Sequence, residues 1–374
     1  MRRIAIIFEF GTLNGGEYSM LAAIKHMPAH DIEIVALAPK AGRLSQLLAE
    51  RGIRHVPLSL RDETDTRLPR EVVAERLKET ISTADPHVVH ANSLSMGRLT
   101  GAIAEELGRP CIAHLRDILK LSRAAINDLN RNHALLAVSE ATRTFHIAQG
   151  LDADRTRVLY NGVDCDQFQP RDATGRLKRE LGLDEQAFLV GTIGQIGLRK
   201  AQDVLAEAAV LVGPHQPNVH FLLIGERNSA KAESIAFEQN IARRFQEAGL
   251  SDRLHPLGYR DDMPSLLNEL DLLVHPAKQE PLGRVLLEAA ASGLPIVATN
   301  VGGTPEILED GVSARLVPPG NSDALADAMR ELSADASQRI RLADEARHTI
   351  RERFGIDQAA QRLCAVWHKI ANAG

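Results

Sequence analysis

Short apolar runs alternate with longer stretches whose apolar residues recur at helical spacing, and the alternation runs the length of the chain. Runs at residues 4–8, 32–37, 88–90, 111–114, 135–138 and 157–160 predict strands. Between them, residues 44–51, 72–81 and 99–107 predict helices. Strands separated by helices must cross over to pair, so the pattern predicts βαβ units and a parallel sheet. The period fails between residues 161 and 183, where Gly162, Pro170, Gly175 and Gly182 lie among many charges, and a domain boundary is expected there. Alternation restarts at residues 188–193 and continues through 219–224, 272–274 and 296–298. The expected fold class is therefore α/β, with two doubly wound halves at residues 1–168 and 169–354. A last helical pattern, with Ala360, Leu363, Val366, Trp367 and Ile370 on one face, follows Phe354-Gly355. Trp367, the single tryptophan, reads as core packing.

Composition narrows the function classes. A chain of 374 residues exceeds a usual single core, in keeping with two domains. Its formal net charge of -5 argues against a nucleic-acid binder, which carries a basic footprint. Cys111, Cys165 and Cys364 have neither metal spacing nor an even disulfide count, and read as thiols of a reducing compartment. The opening apolar run is stopped by Glu9, too early for a secretory signal, and no stretch approaches bilayer length. A cytoplasmic protein is expected. Peripheral contact at the inner membrane face stays compatible, since it needs no spanning segment.

The densest chemistry lies between Glu280 and Glu306. A strand at 272–274 runs into a loop holding Glu280, and Pro281-Leu282-Gly283 is expected to open a helix. The free amides of Leu282, Gly283 and Arg284 would then form an anion site at the sheet's carboxyl edge. Glu288, two turns on, suits ribose hydroxyls, while Glu280 suits a sugar. Two glutamates eight apart are weak evidence alone. The run Ser292-Gly293-Leu294-Pro295 through Gly302-Gly303-Thr304-Pro305-Glu306, with Asp310-Gly311 and Leu316-Val317-Pro318-Pro319-Gly320, adds the context. Together these segments closely resemble the E-x7-E donor signature of retaining glycosyltransferases of family 4.

That resemblance implies the GT-B architecture: two Rossmann-like domains facing a central cleft, with the helix at 355–374 crossing back to the first. It implies a nucleoside diphosphate sugar as donor, a hydroxyl acceptor (glycan, lipid-linked saccharide or small molecule), no cofactor and no metal. It also implies retention of anomeric configuration, with the leaving phosphate oxygen taking the acceptor proton. Lys200, in Gly194-Gln195-Ile196-Gly197-Leu198-Arg199-Lys200-Ala201, matches the lysine that grips the diphosphate in the family. Position 195 is glutamine where many relatives carry arginine, and Ala201 replaces a common glycine. A neutral amide brings no charge to a leaving diphosphate, so either Arg199 compensates or Lys200 and the helix start carry the load. By resemblance, Arg260 and Asp262 face the base.

In the first half, the Gly15-Gly16 pair follows the first strand and frees the backbone to approach a ligand. His114 matches a histidine that family members place near the sugar, and His90 and Asn92 end the neighbouring strand on the acceptor side. The catalytic set is thus expected to be Lys200, Glu280 and His114. Two D-x-D patterns, Asp152–Asp154 and Asp164–Asp166, lie beside the linker and are not expected to bind metal. Two rival readings stand beside this one. A noncatalytic sugar-nucleotide binder is disfavoured by the intact Glu280, Glu288 and Lys200. A nicotinamide-dependent oxidoreductase is disfavoured because the glycines lack G-x-G-x-x-G spacing.

Overall fold

The computed structural model describes residues 1–28, 32–64 and 66–373; the last residue of the helix expected at 355–374 lies outside them. It divides into two units, Met1–Gly162 with Ile356–Gly374, and Val163–Gly355.

In the first unit the strands are Arg2–Ile7 (β1), Ile32–Ala38 (β2), Arg54–Pro57 (β3), Val88–Ala91 (β4), Cys111–Leu115 (β5), Ala134–Ala137 (β6) and Thr156–Val158 (β7). They form a parallel sheet in the order β3-β2-β1-β4-β5-β6-β7. Both faces are covered, so the central strands are apolar throughout rather than alternating. Ile4, Ile6 and Phe8 of the first run pack with Leu363 and Trp367 on one face, and Ala5 and Ile7 with Val73 and Leu77 on the other. The final helix, Ile356–Ala373, thus belongs to the first core.

The second unit holds Phe188–Ile193 (β8), Val219–Ile224 (β9), Leu254–Gly258 (β10), Leu272–His275 (β11), Ile296–Thr299 (β12) and Arg315–Val317 (β13). Their order is β10-β9-β8-β11-β12-β13, again parallel. In such sheets ligands bind outside the strands' carboxyl ends, where the strand order reverses. That point is β1/β4 in the first unit and β8/β11 in the second.

Two expectations are corrected. Residues 163–168 belong to the second unit: the Val163 amide donates to the Phe354 carbonyl at 2.9 Å, and Phe168 is buried. The helix expected at 99–107 is two, Leu94–Ala102 and Ala104–Leu107. The first starts early because the Ser93 hydroxyl accepts from the Met96 amide at 3.1 Å, an N-cap that satisfies an otherwise unpaired donor. Strands β3 and β13 carry no uniform apolar run; Arg54 and Pro57 are exposed, so β3 has no buried pattern to betray it.

Candidate active site

In the second unit, two loops leave the switch-point strands and meet. The loop after β8 turns at Gly194 (φ 137°), and its backbone lies so close to Gly225 that a Cβ there would sit 2.1 Å from the Gly194 carbonyl oxygen. The Gln202 side chain braces this loop, accepting from the Gly197 amide at 3.2 Å and donating to the Gln195 carbonyl at 3.0 Å. Ala201 sits in the left-handed region at φ 54°, the conformation that explains why a glycine is common at this place. The loop after β11 is joined to the first through the Lys278 amide, which donates to the Arg199 carbonyl at 2.9 Å. It rests on Gly302 and Gly303: a Cβ on Gly302 would lie 1.9 Å from the Glu280 carbonyl oxygen, and the Gly303 amide donates to that oxygen at 2.9 Å. The glycine pair is therefore a packing requirement of the Glu280 loop.

These loops bring Lys200 and Glu280, 80 positions apart, into a 2.5 Å ion pair, with the side chains 14% and 7% exposed. The same carboxylate oxygen, Glu280 Oε2, accepts from His275 Nε2 at 2.7 Å. Burial pushes the Glu280 carboxyl up, but Lys200 and the His275 N–H outweigh it and hold it well below the ordinary carboxylate range. Burial and the neighbouring Lys200 hold His275 below its usual value, so the imidazole is neutral. Burial also lowers Lys200, against the pull of Glu280. A buried ammonium beside an ionised carboxylate is a poised cation: an anionic ligand can compete for it at short range.

The helix expected to open at Pro281 begins at Arg284 instead, with Gly283 as its N-cap at φ 105°. This corrects the assignment of Leu282, which precedes the helix and is buried. The turn is tight because Gly283 has no room for a side chain: a Cβ would meet Leu286 Cδ1 at 2.7 Å. The helix opens on Arg284 and Val285, whose amides precede its first intrahelical bonds. Arg284 pairs with Glu288, whose carboxyl burial raises above its usual value. Arg199 and Gln195 are exposed, and Arg199 donates to the Gln279 carbonyl at 3.4 Å. Arg260 and Asp262 form a two-point pair at 2.9 Å, with Glu180 and Arg176 on their outer sides. Their charges are thus spent on one another, and the pair shapes the loop after β10.

The first unit carries a different arrangement. Gly16 lies over Arg116, where a Cβ would meet Arg116 Cδ at 2.9 Å, while Gly15 faces open space. Asn92 ties the two layers: its amide nitrogen donates to the Gly16 carbonyl at 3.2 Å, and its Oδ1 accepts from Arg116 Nε at 3.1 Å and Nη2 at 2.7 Å. Arg116 also donates to Asn161 Oδ1 at 2.9 Å and lies 3.2 Å from His114 Nδ1. These acceptors are all uncharged, and burial draws Arg116 down to about 10.

The protonation pattern of His90 and His114 follows from their neighbours. Arginine and indole nitrogens can only donate. Trp367 Nε1 donates to His90 Nδ1 at 2.9 Å, so His90 carries its proton on Nε2 and donates to His114 Nδ1 at 3.2 Å. His114 Nδ1 is therefore an acceptor, and its proton sits on Nε2, which is buried and without a partner. Burial and Arg116 hold both rings neutral, His90 down to about 3. The acceptor-side role expected of His90 is corrected: it is fully buried, both nitrogens are engaged, and it serves to orient His114. Trp367 packs in the core as expected and also anchors this chain.

Sequence reasoning did not single out His275 or Arg116. A histidine closing an apolar strand and an arginine immediately after one were the available signals, and neither is specific. The D-x-D aspartates cap turns: Asp152 Oδ1 accepts from the amides of Asp154 and Arg155, and Asp164 Oδ1 from those of Asp166 and Gln167. Among the described residues no group of three or more His, Cys, Asp or Glu side chains is placed to hold a metal ion, and no helix is long and apolar enough to cross a membrane.

Two family models match the chain, Glycosyltransferase Family 4 over residues 13–167 and Glycosyl transferases group 1 over residues 174–349. The lipopolysaccharide core biosynthesis mannosyltransferase LpsB of Rhizobium meliloti is 28% identical over 65% of this chain and 67% of its own length. The D-inositol 3-phosphate glycosyltransferase of Mycolicibacterium gilvum is 35% identical over 53% of this chain, which matches only 46% of that enzyme's length. Among solved structures, Anabaena Alr3699/HepE in complex with UDP-glucose superposes with a TM-score of 0.88 at 25% identity, covering 99% of this chain and all of that one.

Proposed function

The chain belongs to the GT-B glycosyltransferases of family 4, and from that premise we propose that it transfers a hexose-type sugar from a nucleoside diphosphate donor to a hydroxyl acceptor, with retention and without a metal ion. The observation that carries this reading is the buried Lys200–Glu280–His275 cluster at the carboxyl ends of β8 and β11, beside the amino-terminal turn of the Gly283-capped helix. The solved relative's complex with UDP-glucose supports a uridine diphosphate donor. The 46% coverage of the inositol phosphate enzyme lends no support to sharing its acceptor.

In this reading Lys200 turns its ammonium from Glu280 to the diphosphate, where negative charge grows as the glycosidic bond to the phosphate oxygen breaks. The amides of Arg284 and Val285 meet the same anion. Glu280, relieved of Lys200 and still bonded to His275, is left to orient sugar hydroxyls, and Glu288 takes the ribose. His114 offers its Nε2–H to a sugar oxygen. The acceptor hydroxyl attacks the face that the diphosphate leaves, and its proton passes to the departing phosphate oxygen, so the protein positions the partners and stabilises charge.

Calorimetric titration with UDP-, GDP- and ADP-glucose, followed by an assay for nucleoside diphosphate release, tests the proposal. One donor binding saturably and being cleaved is the expected result. Binding without cleavage or transfer to any acceptor would point to the noncatalytic reading, which the uncharged Gln195 favours, and binding of none would sink both.

A further inference from the structure

A second cationic feature of the first unit is not used by the chemistry above. A cavity of about 310 Å³ lies between the segment preceding the helix Arg70–Ala84 and the helix Leu94–Ala102. Arg67, Arg70, Arg98 and Ser95 line it, over a floor that includes Leu68 and Leu99. Two of the three cations are neutralised from outside: Arg67 lies 3.6 Å from Glu9 and donates to the Ser95 hydroxyl at 2.9 Å, and Arg70 pairs with Asp128 at 2.6 Å. Neither carboxylate lines the cavity. Arg98 is the charge left over. Its guanidinium makes no hydrogen bond or ion pair among the described residues, and its Nε, like those of Arg244 and Arg347, is buried without a partner. A guanidinium at a cavity wall with no carboxylate opposite it is a site where an anion gains a charge-assisted hydrogen bond without displacing a partner. Three guanidiniums offer planar, two-pronged donors matched to phosphate oxygens, and the leucine floor suits an apolar or sugar-ring body behind the phosphate.

We propose that this cavity binds a phosphate monoester carried by the acceptor, with Arg98 as its principal contact. The acceptor assignment rests on the glycosyl-transfer reading; the phosphate site itself does not. It lies beside the carboxyl ends of β1 and β4: Glu9, which Arg67 approaches, follows β1, and Ser95 follows β4, so a phosphate held there lies on the ligand-binding edge of this sheet.

The test is calorimetric titration of the full chain, saturated with UDP to fill the donor site, with octyl phosphate below its micellar concentration and with glucose 1-phosphate. Wild type is expected to bind one of them at one site, and Arg98→Met to bind it about tenfold more weakly, the value of one charge-assisted hydrogen bond. Octyl phosphate as the tighter probe indicates a lipid-borne phosphate, and glucose 1-phosphate a soluble sugar phosphate. If Arg98→Met binds both probes as well as wild type, or wild type binds neither, the site does not exist. UDP-glucose titration of Arg98→Met, expected unchanged, separates the two proposals: loss of donor binding by wild type would overturn the transfer reading and leave the phosphate site standing.

Discussion

Each unit buries a cation near its switch point, and the two are held in opposite ways. Lys200 faces an ionised carboxylate, with His275 donating to the same oxygen. Arg116 faces amide oxygens and an imidazole nitrogen. The first arrangement is an ion pair that a ligand must break, so binding an anion exchanges one partner for another and leaves Glu280 free to act. The second bonds only uncharged groups, with the Glu17 and Asp117 carboxylates acting on it through space, and Asn92 and Asn161 fix the guanidinium in place. Burial lowers the proton affinity of both cations, and at Lys200 the paired Glu280 pulls it back up. The difference assigns Lys200 to chemistry that changes during turnover and Arg116 to a scaffold that stays put.

The largest effect is expected at the pair. Lys200→Met should lower turnover by about 10²–10³, because a cation aimed at the leaving diphosphate is lost. It should also reshape acid stability. In wild type the folded Glu280 carboxyl lies below its unfolded value, so its contribution is fully present above the unfolded value near 4.5 and is lost as pH falls through the depressed one. Without Lys200 only the His275 N–H opposes burial, so the carboxyl rises towards its unfolded value and the loss of stability on acidification shrinks. Chemical denaturation from pH 3 to 7 reads this directly; parallel curves for the two proteins would dismiss the pair as a stabilising element.

Arg116→Met should have a smaller effect, about tenfold on turnover, since it removes one of the donors that hold His114 Nδ1 as an acceptor. Long-range nitrogen–proton NMR of the imidazoles checks the mechanism: wild-type His114 should carry its proton on Nε2, and finding it on Nδ1 would contradict the scaffold role. Trp367→Phe should cost about 1 kcal/mol, one hydrogen bond to His90, with turnover changed less than in Arg116→Met; thermal unfolding and steady-state kinetics measure the two parts. The mildest change is Gln195→Arg, which should leave stability within about 0.5 kcal/mol because the position is exposed. It should tighten donor binding several-fold, and unchanged binding by calorimetry would detach position 195 from the diphosphate.

Much of this was readable along the chain. The runs at 188–193 and 219–224 coincide with β8 and β9, because a strand covered on both faces must be apolar throughout. Glu280 and Glu288 were legible because their spacing and the glycine-rich run after them are local in sequence. Strand β3 was not legible, since its ends, Arg54 and Pro57, are exposed, nor was the start of the helix at Arg284, since the left-handed Gly283 cap and not Pro281 sets it.

What the sequence determined by itself is the alternation of elements, the two-domain plan and the family-4 donor signature, all encoded over short distances by burial period and turn chemistry. Only the tertiary structure decided that Lys200 and His275 share one oxygen of Glu280, that Trp367 reaches His114 through His90, and that Arg98 keeps an unpartnered Nε. Those facts join residues up to 277 positions apart, or depend on which partners are missing. A side chain's charge state and proton position are set by neighbours in space, and parallel sheets with long crossovers bring those neighbours from remote parts of the chain.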